Sequence, residues 1–433
     1  MKEVIIQNPN QEGLSEQDIA KAIAESLADE LAGLKKVLII PPDFTRKHSG
    51  GGKLTQYLYR LLSGSCHVDV MPALGTHVPL SEKQCDEFFG DVVPRENIIT
   101  HNWRTEVVKI GRVDADIVRE VSEGLMDKPI DVEVNKRLLD GSYDRIISIG
   151  QVVPHEIIGM ANYTKNILVG CGGFTLINQS HMMGAFYGME RIMGQDRTPV
   201  RRLFDYIENA FLKDLPILYM MTVTKQHDID SDSVIHGLFI GRERAVFEAA
   251  VALSQKMNLI LLDKPIRKAV VYLDAEEFQS SWLCNKAVYR TRMAMADGGE
   301  LVILAPGMEK FGEDSENDRL IRKYGYIGRE RILELVKTEQ DLNDNLSVAA
   351  HIIHGSSDGR FNIVYAVNKM SRAEIEGANY GYLNYDDAIA RYDITAMKDG
   401  MNIMSDGEEI FFISNPALGL WACKDRFNKP QED

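Results

Sequence analysis

The chain has 433 residues, 45% hydrophobic and 26% charged, which is enough apolar material for two or three domains, each with its own core. A formal charge of −15 argues against nucleic-acid phosphates or anionic lipid as partners, yet leaves room for a small anion in a locally basic pocket. The five cysteines (Cys66, Cys85, Cys171, Cys284 and Cys423) include no Cys-x-x-Cys pair, which excludes a zinc knuckle and argues against a disulfide framework. No signal-peptide stretch opens the sequence and no apolar run nears the ~20 residues of a membrane helix, so a cytoplasmic protein is expected.

In chain order, SEQDIAKAIAESLADEL (15–31) has helical amphipathic spacing, and KVLII (36–40) reads as a buried strand. HVDVMPAL (67–74), RIISIG (145–150) and PILYMMTV (216–223) repeat the strand signal. KAVVYLD (268–274), ELVILAP (300–306), FNIVYAV (361–367) and EEIFFIS (408–414) do so in the second half. RERILELVKT (329–338) is helical, and residues 282–296 are predicted as one helix ending at Gly298–Gly299. The acidic tract GEDSEND (312–318) is predicted as a solvated loop. Strands alternating with helix-length connections imply an α/β protein of two packed domains with largely parallel sheets. A break near residues 260–267 divides residues 1–264 from 265–433, and the active site is expected in the cleft between these domains.

Three strands run directly into polar loops, and in parallel sheets ligands bind beyond the carboxyl ends of strands. The first loop, PPDFTRKHSGGG, offers Arg46 as a fork for a carboxylate or phosphate and Asp43 to orient it. The second, ALGTHVPLS, offers His77 as a general acid or base, followed by a helix start with Ser81 as N-cap and Glu82 in its first turn. The third opens the segment 151–184, which holds His155, Lys165, His181 and a glycine-rich turn at Gly170, Gly172 and Gly173. Taken without a family, that segment fits a metal site with a general base, or a phosphate site capped by Lys165. The remaining His227, His236, His351 and His354 read as ordinary structural residues, Cys284 as a small buried hydrophobe, and Lys286 as a lysine in the first turns of its helix.

The ordered set Asp43-x-x-Arg46, His77, His155, Lys165 and His181 resembles the nickel-dependent lactate racemase family. The resemblance implies a nickel-pincer nucleotide bound covalently to Lys165, with nickel ligated by His181. It implies His77 and His155 as the acid/base pair, Asp43 and Arg46 as contacts to cofactor or substrate, and Lys286 as a holder of the substrate carboxylate. The implied activity is inversion at carbon 2 of a 2-hydroxy acid by hydride removal and return, with cofactor-making proteins as transient partners. The implied substrate is lactate or a larger hydroxy acid such as an aldonate, and Lys47 and Leu283, which stand where the family has proline and glutamine, weigh toward the larger one. Two rival readings are a metal-dependent hydrolase built on His77, His155 and His181, and a non-catalytic nucleotide- or cofactor-binding protein.

Overall fold

The computed structural model describes residues 2–226 and 232–427, so His227 lies outside the described residues. The chain divides into two compact units, one of residues 1–183 and 192–258, the other of residues 184–191 and 259–433.

The first unit is built on a six-stranded sheet. Its strands are β1 (Val4–Gln7), β2 (Lys36–Ile40), β3 (His67–Val70), β4 (Arg145–Gln151), β5 (Ile217–Lys225) and β6 (Val234–Gly241), in the order β1-β6-β5-β4-β2-β3. The β5-β4-β2-β3 part is parallel, whereas β6 pairs antiparallel with both β1 and β5. In the centre, Ile39 of β2 pairs with Val70 on one side and Ile147 on the other. These strands are apolar along almost their whole length because the sheet is covered on both faces.

Helices α1 (Glu16–Leu27), α2 (Gly51–Leu62) and α3 (Glu82–Phe89) bury Ile23 and Leu27, Leu54, Leu58 and Leu62, and Phe88 and Phe89 in one core cluster with Val37 and Ile39. The four-residue spacing of Leu54, Leu58 and Leu62 places them on one helical face, and each buried side chain contributes about 1.5–3 kcal/mol. Ser81 caps α3 as expected. Its hydroxyl accepts from the Gln84 backbone N–H while the Gln84 side chain accepts from the Ser81 N–H. This unit continues with α4 (Thr164–Leu168), residues 174–183 of α5 (Phe174–Tyr187), α6 (Pro199–Ile207) and α7 (Arg244–Asn258).

The second unit has its own six-stranded sheet: β7 (Ile266–Tyr272), β8 (Met295–Leu304), β9 (Asn362–Val367), β10 (Gly381–Asn384), β11 (Gly400–Ile403) and β12 (Glu409–Ile413), in the order β10-β9-β8-β7-β12-β11. All neighbours are parallel except β11 and β12. The expectation of α/β architecture with largely parallel sheets therefore holds in both units. No helix among the described residues is long and apolar enough to cross a membrane.

Two local expectations are corrected here. Residues 282–296 do not form one helix. They give α8 (Ser281–Cys284) and α9 (Lys286–Thr291), and the chain is already in β8 by Met295. The break falls at Asn285, a buried residue whose side-chain oxygen accepts from the Tyr365 and Tyr380 hydroxyls. The acidic tract is not only a loop. Asp314 caps α10 (Ser315–Tyr324) by accepting from the Glu316 and Asn317 N–H groups, and Glu313 is buried beneath the Ser280 hydroxyl. Helix α11 (Arg329–Thr338) matches its predicted span. His351 and His354, on α12 (Leu346–Gly355), are buried. The two ring nitrogens of His351 lie 2.9 Å from the Tyr289 and Tyr326 hydroxyls, and its ring stacks on Trp282. His236 is likewise buried and bonds the Asn8 carbonyl, and Cys284 is fully buried.

Candidate active site

Adjacent parallel strands β4, β2 and β3 deliver the three sequence-predicted loops at their carboxyl ends, which puts the loops side by side. The loop after β2 turns at Pro41–Pro42 into a short 3₁₀ segment, Phe44–Ser49, capped by Asp43. Asp43 Oδ1 accepts from the Thr45 N–H at 2.8 Å and from the Thr45 hydroxyl at 2.5 Å. Its other oxygen, Oδ2, lies 2.8 Å from His77 Nδ1. Asp43 is buried, and burial alone would raise its pKa. The His77 ring, the Thr45 hydroxyl and Arg46 more than reverse this and hold the carboxyl well below its ordinary range. An ionised Asp43 places the ring proton on His77 Nδ1 and leaves Nε2 as a proton acceptor.

Arg46 breaks helical geometry within that segment (φ −117°, ψ 28°); its backbone N–H donates to the Asp43 carbonyl at 3.1 Å, while its guanidinium makes no hydrogen bond or ion pair with the described residues. The segment is tied down by Thr222 and Thr224 of β5, whose hydroxyls donate to the Ser49 and His48 carbonyls at 2.7 and 2.9 Å. The His77 loop is tied to the Lys165 region, because the Gly75 N–H donates to the Gly170 carbonyl at 2.9 Å.

After β4 the chain makes a small hairpin, Pro154–His155 against Gly159–Met160, which buries His155. The Ile157 backbone N–H donates to His155 Nδ1 at 3.1 Å, so the neutral ring carries its proton on Nε2. Glu156 Oε2 stands 3.6 Å from the same Nδ1. His77 thus offers an acceptor and His155 a donor.

Asn162 and Tyr163 follow, with φ of +69° and +58°. Among the described residues only five non-glycine residues have positive φ, and these two are consecutive. Such conformations cost about 1–3 kcal/mol each and persist where the surroundings enforce them. Helix α4 starts at once, and Asn166 Nδ2 docks it to the strand ends through the Ser148 hydroxyl and the Ile149 and Ile40 carbonyls. Lys165, on this helix, keeps a partly open surface, and its side-chain amine makes no hydrogen bond or ion pair with the described residues. Its pKa is pushed down to about 8, first by desolvation and then by the Arg46 guanidinium; Glu156 and Asp43 oppose the shift. The neighbouring cation is therefore Arg46.

His181, on α5, donates from Nδ1 to the Ile177 carbonyl at 2.7 Å, which leaves the Nε2 lone pair for a ligand. Desolvation and then Lys165 push its pKa down to about 4, so the ring is neutral near pH 7. The fields of Lys165, Glu156 and His77 all reach it. Asp43, Arg46, His77, Lys165 and His181 are thereby brought into one electrostatic neighbourhood, and Glu156 links His155 to it. Lys286 belongs to the second unit, where it opens α9, is buried and lies 5.2 Å from the centre of the Phe278 ring.

Sequence reasoning did not find Glu156, Arg201 or His101. His101 is buried behind the glycine-rich turn, with Nε2 on the Gly172 carbonyl (3.1 Å) and Nδ1 on Asn135 Nδ2 (2.9 Å). Among the described residues, no three His, Cys, Asp or Glu side chains converge as a metal site. The trio His77, His155 and His181 proposed by the hydrolase reading is not such a group.

Comparison with known proteins gives three results. Residues 2–193 match the family model of the lactate racemase N-terminal domain. No curated protein matches the chain. Among solved structures that share the fold, two align at low identity. A Thermotoga maritima protein aligns with a TM-score of 0.82 at 22% identity over 97% of this chain and 100% of its own. The lactate racemase apoprotein from Thermoanaerobacterium thermosaccharolyticum aligns with a TM-score of 0.68 at 17% identity over 95% of this chain and 93% of its own.

Proposed function

From the lactate racemase N-terminal domain that residues 2–193 carry, we propose that the chain is a racemase or epimerase of 2-hydroxy acids using a nickel-pincer nucleotide. The observation that carries this reading is a set of functional groups in one electrostatic neighbourhood, each with an edge that no hydrogen bond or ion pair occupies among the described residues. These are the Arg46 guanidinium, the Lys165 amine and, with its other nitrogen occupied, the Nε2 edge of His181. Two cations that no carboxylate pairs with at hydrogen-bond distance favour an anionic guest, and a neutral imidazole favours a metal such as nickel.

The residues fit the group. Lys165 would hold it through its amine, His181 would ligate its nickel, and Asp43 and Arg46 would line its surroundings. Asn162 Nδ2, buried and without a hydrogen-bond partner, is a further donor in the same loop. When bound, the group supplies a hydride acceptor for carbon 2 of the substrate. Carbon 2 of an ionised 2-hydroxy acid is a poor proton donor, so a base alone does not suffice.

His77 Nε2 takes the proton of the substrate hydroxyl, and the Asp43 carboxylate stabilises the imidazolium that forms. His155 presents Nε2–H towards the opposite alkoxide. Such a base contributes ~10²–10⁴-fold. Arg46 holds the substrate carboxylate. The Asp43–His77 pair favours this reading over a non-catalytic carrier, which has no use for an oriented base.

The test is intact mass and peptide mapping of protein co-produced in the cytoplasm with cofactor-making enzymes, together with nickel quantification. An adduct on Lys165 with about one nickel per chain is expected, and Lys165→Ala should lack both. An unmodified Lys165 despite confirmed cofactor supply would overturn the reading.

A further inference from the structure

The kink that presents Lys165 is fastened from behind by a residue outside the pocket motifs. Arg201 is fully buried on α6, whose N-cap Thr198 also donates to the Ile158 carbonyl in the preceding hairpin. Its guanidinium donates to the Thr164 hydroxyl at 2.8 Å, the Met160 carbonyl at 2.8 Å and the Asn162 carbonyl at 3.2 Å. These three acceptors bracket the two residues of positive φ. The guanidinium carbon lies 4.4 Å from the centre of the Phe247 ring and 6.0 Å from that of Tyr163, whose ring stacks on Phe247 at 5.1 Å. Tyr163 is anchored in turn by its hydroxyl, which donates to the Arg242 carbonyl at 2.7 Å.

No carboxylate forms an ion pair with Arg201 among the described residues, and its Nε has no acceptor. Desolvation pulls its pKa down to about 10 even though Asp205 and Asp196 attract the cation through space, so packing alone would favour an apolar side chain there. A lysine could not replace it, because one point charge cannot reach three acceptors in fork geometry.

We propose that Arg201 is a positioning residue for Lys165: its buried fork locks the Asn162–Tyr163 kink and so holds the Lys165 amine ready for acylation. The inference rests on the reading of Lys165 as the cofactor-bearing lysine. Acylation forms one N–C bond, breaks the bond from the acyl carbon to its leaving group, and releases one amine proton to solvent. The Arg201 charge works in the same direction, since it disfavours a proton on Lys165.

The test needs no cofactor. Full-length protein is exposed briefly at pH 7.5 to limiting succinimidyl acetate, and acetylation at each lysine is measured by peptide mass mapping. Lys165 in the wild type should react faster than the exposed Lys21. In Arg201→Met its rate should fall roughly ten- to hundredfold, the effect of misplacing a reacting group. Arg201→Lys should recover only part of the loss. The partly shielded Lys36 and Lys47 of the same unit should be unchanged, whereas a merely structural role for Arg201 would raise them. A folded Arg201→Met with wild-type Lys165 acetylation overturns the proposal while leaving the Lys165 reading intact. If that variant does not fold, Thr164→Val decides the matter: it removes one acceptor but keeps the buried cation, and an unchanged Lys165 rate overturns the proposal. A wild-type Lys165 no faster than Lys21 removes both the proposal and the reading beneath it.

Discussion

Replacing Asp43 by asparagine should invert the proton arrangement of His77 without removing the hydrogen bond. Oδ1 of Asp43 already accepts two donors from Thr45, the N–H and the hydroxyl. An asparagine must therefore turn its oxygen to Thr45 and its NH₂ to His77. The ring must then accept at Nδ1, which moves its proton to Nε2 and removes the base. Losing a general base in this way lowers turnover by ~10²–10⁴-fold, or about 2.7–5.4 kcal/mol of transition-state stabilisation at 1.36 kcal/mol per decade. Chiral chromatography of 2-hydroxy acids incubated with cofactor-loaded wild type and Asp43→Asn measures the loss. Nitrogen-15 NMR of the imidazoles reports the tautomer directly. Full turnover in the variant, or an unprotonated Nε2 on its His77, would refute the assignment of Asp43 as the orienting group.

The remaining predictions concern the scaffold. Burial pushes the His101 pKa down to about 4, so the unfolded chain binds a proton there before the folded one does. Its contribution to stability is fully present above the ordinary histidine value and is lost as pH falls towards 4; denaturant titrations should show His101→Gln with a flatter slope between about pH 6.5 and 4. The Asp43 carboxyl is depressed instead, so its contribution is present above the ordinary carboxylate range and lost on further acidification. Asp43→Asn should lack that acid-side slope. Gly159 has φ +92°, and a Cβ there would stand 2.0 Å from the Gln195 carbonyl oxygen. Gly159→Ala should cost more than about 3 kcal/mol in chemical denaturation, beyond the range of ordinary substitutions, and a melting temperature equal to wild type would contradict this.

What the sequence revealed was local. KVLII and RIISIG are apolar runs bounded by turn residues, and both are strands. Ser81 as N-cap, with Glu82 in the first turn, is a signal carried within one helical turn, and it holds. The loops with Asp43, His77 and His155 could be read as neighbours because parallel strands place ligands at their carboxyl ends. What failed depended on distant partners. The helix drawn through residues 282–296 is broken at Asn285 by hydroxyls from Tyr365 and Tyr380, 80 and 95 residues away. Arg201 sits beside Arg202 in TPVRRLF, and the pair reads as a solvated face. Only the spacing to Phe204, three residues on and buried, marks Arg201 as pointing inward, whereas Arg202 is exposed and pairs with Glu123. Glu156 carried no signal, being one acidic residue beside a histidine.

The unequal proton arrangements of His77 and His155 have a kinetic consequence. Under the proposed function, for a racemase substrate the two enantiomers in solution have the same free energy, so the Haldane relation requires equal kcat/KM in the two directions at every pH. An enzyme whose two faces differ chemically can express that difference only by dividing it between kcat and KM. The enantiomer bound with its hydroxyl towards His77 meets a ready base, while its mirror image meets a donor and must wait for a proton to move. One direction should therefore show the higher kcat and, in the same proportion, the higher KM, and progress curves started from either pure enantiomer should separate at saturation and converge at low substrate.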